Sequence, residues 1–166
     1  MQKVYIAGPT VFHVDAKEKG EQMKDICKQH GLVGFFPMDN EVIARTKGEM
    51  ALQIYGGNLQ LMQEADIVVA CLDSFRGAEP DSGTCFEVGY ATALGKKVYG
   101  YVSDNRPLIH KQSSTDVDGI YYDTEGHVVE DFDFPVNLML GMACKVVVGG
   151  FEDCILQVEK DMKKGA

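Results

Sequence analysis

ADIVVACLDSFRGAEPDSGTCFEVGYATALGKKVYGYV, residues 65–102, reads as strand, helix, strand, and this unit sets the fold. Asp66 to Leu72 is a continuous apolar run, the pattern of a strand buried on both faces. Gly83 to Leu94 reads as a helix stopped by Gly95, and Lys97 to Val102 as the next strand. The same alternation runs back to the start. Lys3 to Ala7 is a first strand, stopped by Gly8-Pro9. Val14 to His30 reads as a helix with Gly31 after it, and Leu32 to Phe36 as a strand closed by Pro37. Glu49 to Ala65 looks helical, although Gly56-Gly57 weakens its middle.

Strand and helix thus alternate to about residue 102, which implies a parallel sheet with helices on both faces. Ligands in such folds bind beyond the carboxyl ends of the strands. That rule brings together Gly8 to His13, Asp73 to Ser82 and the turn after Val102. Ser103 to Pro135 differs: it is polar and turn-rich, with one β-rich run at Ile120 to Tyr122. So long a connection is expected to be a lid, an interface element or a mobile segment. Pro135 to Lys145 reads as a short helix and Phe151 to Lys164 as a final amphipathic one.

The 166 residues fit a single domain, and no apolar run approaches the roughly 20 residues of a membrane span. The start, MQKVYIAGPT, reads as a strand and not as a signal peptide. With 16 basic against 25 acidic residues the formal charge is −9, and no basic cluster is present to hold a phosphate backbone. Nucleic acid is therefore not an expected partner. Cys27, Cys71, Cys85, Cys144 and Cys154 are scattered and never spaced Cys-x-x-Cys, which fits a reducing, cytoplasmic setting. His13, His30, His110 and His127 lack metal-ligand spacing, and there is neither GK[ST] nor GxGxxG.

Glu87 is the residue that needs explaining. It shares a helical stripe with Tyr90, Ala91 and Leu94, where a surface glutamate does not belong. One reading is local: Thr84-x-x-Glu87 is a capping box. The other is chemical. The fold rule puts this helix start in the ligand crevice, and Asp81 supplies a second acid there. The helix dipole opposes the upward pKa shift of burial, so Glu87 is expected to be an ionised, partly desolvated nucleophile.

These residues resemble the nucleoside 2-deoxyribosyltransferases. The resemblance is carried by VYIAGP (4–9), ADIVVACLD (65–73), DSGTCFEVGYATALGKKV (81–98) and PVNLML (135–140). It implies a flavodoxin-like, Rossmann-like doubly wound sheet. It implies that Glu87 forms a covalent 2-deoxyribosyl ester, that Tyr5 orients its carboxylate and that Asp81 contacts substrate. Gly8, Phe12 and Asn58 are expected around the substrate; Phe12 is read either as a base-stacking ring or as a core or loop anchor. Asn137 and Met139 match residues that a neighbouring subunit lends to the sugar pocket, so a homo-oligomer is implied. Asn58 stands where some members carry an aspartate near the base. Some short members also place their C-terminal carboxylate in the site, which a helix through Lys164 is not expected to allow.

The implied substrates are 2'-deoxynucleosides and free nucleobases, with no metal or organic cofactor. Retaining glycosyl transfer needs a carboxylate on one face of the sugar, and a second base resolves the ester in ping-pong fashion. Three rivals remain. A deoxynucleoside 5'-monophosphate hydrolase of the same superfamily needs a phosphate pocket, which Asp81 disfavours. A phosphoribohydrolase of the lysine-decarboxylase-like type is echoed by Pro80 to Glu87, but Asp81 and Ser82 replace its glycines. A flavodoxin-like binding module would need no Glu87.

Overall fold

The computed structural model describes residues 1–164. The strands are β1 (Lys3–Ala7), β2 (Val33–Phe35), β3 (Ile67–Cys71), β4 (Lys97–Val102), β5 (Ser114–Val117), β6 (Ile120–Asp123) and β7 (Lys145–Val148). The helices are α1 (Ala16–Gln29), α2 (Lys47–Glu64), α3 (Ser82–Ala93), α4 (Leu138–Ala143) and α5 (Phe151–Lys164). A five-stranded sheet runs β2-β1-β3-β4-β7, with every neighbouring pair parallel. That order is the flavodoxin-like doubly wound one, with the switch point between β1 and β3.

Strand periodicity sorts the core into two layers. Val4 and Ile6 of β1, Ile67 and Val69 of β3, and Tyr99 of β4 pack beneath α1 and α5. Tyr5, Ala7, Val68, Ala70 and Val98 face the other way, beneath α2, α3 and α4. All five residues of β3 are buried, as its apolar run predicts. The placement of Tyr5 matters most, because it sends a phenol toward α3 from a strand otherwise lined with aliphatics.

Several boundaries move. The first helix starts at Ala16, because Pro9–Phe12 forms a 3-10 turn and Val14 projects fully into solvent. Helix α2 begins at Lys47, where Thr46 and Glu49 form the reciprocal cap, and it passes unbroken through Gly56-Gly57. The last predicted short helix shrinks to α4, and the run after it, Lys145–Val148, is an edge strand paired with β4. The sequence reading gives Val146 to Val148 no element; they form a strand because the edge of β4 is open to pair with them.

Residues 103–135 are also more ordered than a loop. Strands β5 and β6 form an antiparallel hairpin around Asp118-Gly119, whose φ values of 55° and 83° suit a two-residue turn. Leu108, Ile109 and Val129 give this excursion a small core of its own, with Tyr121 against it. No helix among the described residues is long and apolar enough to cross a membrane.

Candidate active site

Helix α3 begins at Ser82 because Asp81 caps it: one carboxylate oxygen accepts from the Thr84 amide at 2.9 Å and from the Thr84 hydroxyl at 3.1 Å. The capping-box reading of Thr84 and Glu87 is therefore overturned, since the cap is supplied from Asp81. The face of α3 that packs on the sheet is Thr84, Val88 and Ala91. Glu87 flanks that face, while Leu94, expected on the same stripe, is 40% exposed.

Glu87 is instead held by a residue 82 positions away. The Tyr5 hydroxyl, on a fully buried side chain of β1, donates to Glu87 Oε1 at 2.6 Å. Burial pushes the Glu87 carboxyl up to about 7; the Tyr5 bond pulls it down, and the charge of Asp81 adds to the rise. The expectation of a carboxylate kept low by the helix dipole is corrected here. Glu87 lies in the second turn of α3, beyond the reach of the dipole, so desolvation wins. Tyr5 is driven well above the usual phenol range by burial, then by the charge and hydrogen bond of Glu87, and so remains a donor.

The carboxylate opens on a cavity of about 230 Å³ lined by Gly8, Phe12, Asn58, Asp81 and Glu87 among others. Five residues named from sequence thus meet in one place at the carboxyl end of β1. Gly8 leaves no room for a side chain, as a Cβ would stand 2.9 Å from that of Cys71. The second oxygen of Asp81 has no protein donor among the described residues, and Asp81 lines the same space. Phe12, Pro37 and Asn58 continue into a wider hollow of about 580 Å³.

Phe12 is half exposed and stacks on Phe75, with centroids 5.4 Å apart and planes 14° from parallel. The Arg76 guanidinium lies 4.6 Å from the Phe75 centroid and 5.1 Å from that of Phe12. Sequence reasoning passed over Phe75 and Arg76 because nothing local links them to residue 12. Asp73 at the end of β3 accepts from the Ser103 amide and hydroxyl at 2.7 and 2.8 Å, tying the loops after β3 and β4 together.

Asn137 and Met139 do not reach this cavity within one chain. They line a separate hollow of about 820 Å³ between α3 and α4, along with Cys85 and Val88 from the other side of α3. Asn137 caps α4, accepting from the Met139 amide at 2.9 Å, and Met139 is 74% exposed. Glu130 of the excursion holds this corner: its two oxygens accept from Asn137 Nδ2 at 2.8 Å and from the Leu138 amide at 2.7 Å. The cysteines are all free, and burial pushes Cys27, Cys144 and Cys154 up to about 12, so these thiols are inert. Helix α5 covers the opposite layer from Glu87.

The sequence matches the family profile described as Nucleoside 2-deoxyribosyltransferase over residues 4–139. A 2-deoxyribosyltransferase of Leishmania mexicana superimposes with a TM-score of 0.78 at 35% identity, covering 96% of this chain and 98% of that one. A 2-deoxyribosyltransferase of Bacillus psychrosaccharolyticus gives 0.59 at 19% identity over 91% and 88% of the two chains, a likeness of fold. An uncharacterised protein of Schizosaccharomyces pombe is 39% identical over 115 residues, which are 67% of this chain but 54% of that protein. The chain thus corresponds to about half the length of that relative.

Proposed function

We propose, for a chain that belongs to the nucleoside 2-deoxyribosyltransferase family, that it transfers a 2-deoxyribosyl group from a 2'-deoxynucleoside to a free nucleobase. The observation that carries this reading is the 2.6 Å bond from Tyr5 to Glu87 at the wall of the cavity. With Oε1 fixed by the phenol, Oε2 is the oxygen free to attack.

In the first half-reaction Glu87 Oε2 bonds to C1' as the C1'–N bond breaks and its electron pair leaves with the base. A 2-deoxy sugar lacks the electron-withdrawing 2-hydroxyl, so its oxocarbenium-like transition state is reached readily. In the second half-reaction a nitrogen of the incoming base attacks C1', and the ester oxygen departs as carboxylate. The proton taken up with the leaving base is matched by the one the incoming base gives up. The positive charge that develops on the sugar is met by the Glu87 carboxylate, and neither half-reaction as written calls for a cofactor. The free oxygen of Asp81 suits a sugar hydroxyl at the same wall, and Phe12 with Phe75 offers the base a stacking surface.

Asn137 and Met139 serve the site of a neighbouring copy in this reading, which makes the working enzyme a homo-oligomer. The carboxylate of Asp81 at the cavity wall weighs against a 5'-phosphate, and so against a nucleotide hydrolase. Incubation with deoxyinosine and free adenine tests the reading directly. Deoxyadenosine is expected to accumulate. Release of hypoxanthine without deoxyadenosine would place the chain among the N-glycosidases, and no release from either would refute catalysis.

A further inference from the structure

The pair Gly56-Gly57 places two poor helix formers inside α2, and the chemistry above gives them no role. The two positions are not equivalent. A Cβ on Gly56 would meet nothing within 4 Å, whereas one on Gly57 would stand 2.7 Å from Cγ of Asn40 and 2.8 Å from its Nδ2. Position 57 is the gap that seats the Asn40 amide.

The sense of that amide follows from a group that can only accept. Asn40 Nδ2 lies 3.1 Å from the Pro37 carbonyl oxygen, so the NH2 must face it. The second hydrogen of that NH2 is donated to Asn58 Oδ1 at 3.2 Å. Asn58 thus has its oxygen occupied, and its Nδ2 has no protein acceptor among the described residues. Asn58 lines both the cavity of Glu87 and the wider hollow that Asn40 borders. A backbone carbonyl therefore sets, through two amides, the sense of Asn58 and leaves its Nδ2 as the unclaimed donor of a residue that lines the cavity.

We infer that Asn40, seated by the absence of a side chain at Gly57, is a positioning residue that fixes Asn58 as a hydrogen-bond donor to the nucleobase. The inference rests on reading the cavity as a deoxynucleoside site. It defines the ligand: the base presents an unprotonated ring nitrogen or a carbonyl oxygen to Asn58 while Glu87 works at C1'. It also assigns the chemistry of position 58. An amide does not give up a proton near neutrality, so it steadies the departing base by a hydrogen bond alone.

The test uses the full chain with adenine and its 1-deaza, 3-deaza and 7-deaza analogues, each having one ring nitrogen replaced by carbon. Affinity is read by calorimetry, and KM is read in exchange with deoxyinosine. The wild type is expected to bind one of the three analogues about tenfold more weakly than adenine, the worth of one neutral hydrogen bond. Gly57→Ala and Asn40→Leu should erase that preference and raise the KM for adenine about tenfold. Gly56→Ala, the same change one residue away, should keep both at the wild-type value. Thermal melts identify a variant that fails to fold, and either of the two variants suffices. Preserved discrimination in Gly57→Ala and Asn40→Leu would overturn the assignment, as would a wild type that binds all three analogues like adenine. If the wild type neither exchanges nor hydrolyses deoxyinosine, the deoxynucleoside reading fails, and the calorimetric comparison still decides the role of Asn40.

Discussion

The two sides of helix α3 are built by different means. On the side of β1, Tyr5 reaches Glu87 across 82 residues of chain, and both groups are largely withdrawn from water. On the side of α4, Glu130 reaches Asn137 across seven residues, and Met139 beside it stays exposed. The first side is closed by a contact made within one chain. The second is a held but uncovered corner. A long-range contact through the core can set a pKa, because it removes water. The short-range contact from Glu130 sets the orientation of Asn137 and of the start of α4.

Loss of the carboxylate breaks this comparison most sharply. Glu87→Ala is expected to cut exchange between deoxyinosine and adenine by at least about 10⁴-fold, the scale for removing a nucleophile. Asn137→Ala should also be impaired, and the two defects should complement if the α4 corner serves a neighbour. Mixed and refolded together, Glu87→Ala and Asn137→Ala should exchange measurably faster than the sum of the two variants assayed apart. No recovery would mean that both sides of α3 act within one chain or that Asn137 has no part in the site.

Tyr5→Phe removes one hydrogen bond to a charged group, worth about 2 kcal/mol or roughly thirtyfold in rate. Its pH profile is more informative than its rate. Exchange by the wild type should rise with pH through about 7 as Glu87 ionises. Tyr5 holds that pKa down, so Tyr5→Phe should move the acid limb to higher pH. An unmoved limb would mean that another group titrates. On the α4 side, Glu130→Gln leaves a single acceptor oxygen for two donors. It should raise the KM for the nucleoside several-fold, leave the acid limb in place and be partly rescued by Glu130→Asp.

The last effect is on stability rather than on rate, and its sign is distinctive. The folded pKa of Glu87 is about 7 against an ordinary 4.5, so the folded chain binds the extra proton between those values. Ionisation of Glu87 therefore costs stability as pH rises from about 4.5 to about 7, by up to about 3 kcal/mol, and no more above that. Glu87→Gln keeps an acceptor for Tyr5 and carries no charge. It should melt higher than the wild type at pH 8, with the gap closing toward pH 4.5. An equal gap at both pH values would show that burial of charge is not what strains this position.

By itself the sequence determined the alternation of strand and helix and the fully buried β3, because each rests on local periodicity, and with the family resemblance it named five residues that line one crevice: Gly8, Phe12, Asn58, Asp81 and Glu87. It also pointed to Glu87 as misplaced, although for a stripe that proved to be shifted. The edge strand β7, the hairpin within 103–135, the Asp81 cap and the Asn40 seat at Gly57 were decided only by the tertiary structure. Each depends on a neighbour distant in the chain or on competition between two partners for one amide, and hydrophobic spacing carries no record of either. The protonation of Glu87 belongs with them. Dipole and burial pull that pKa in opposite directions, and only the depth of the carboxylate beside Tyr5 determines which prevails.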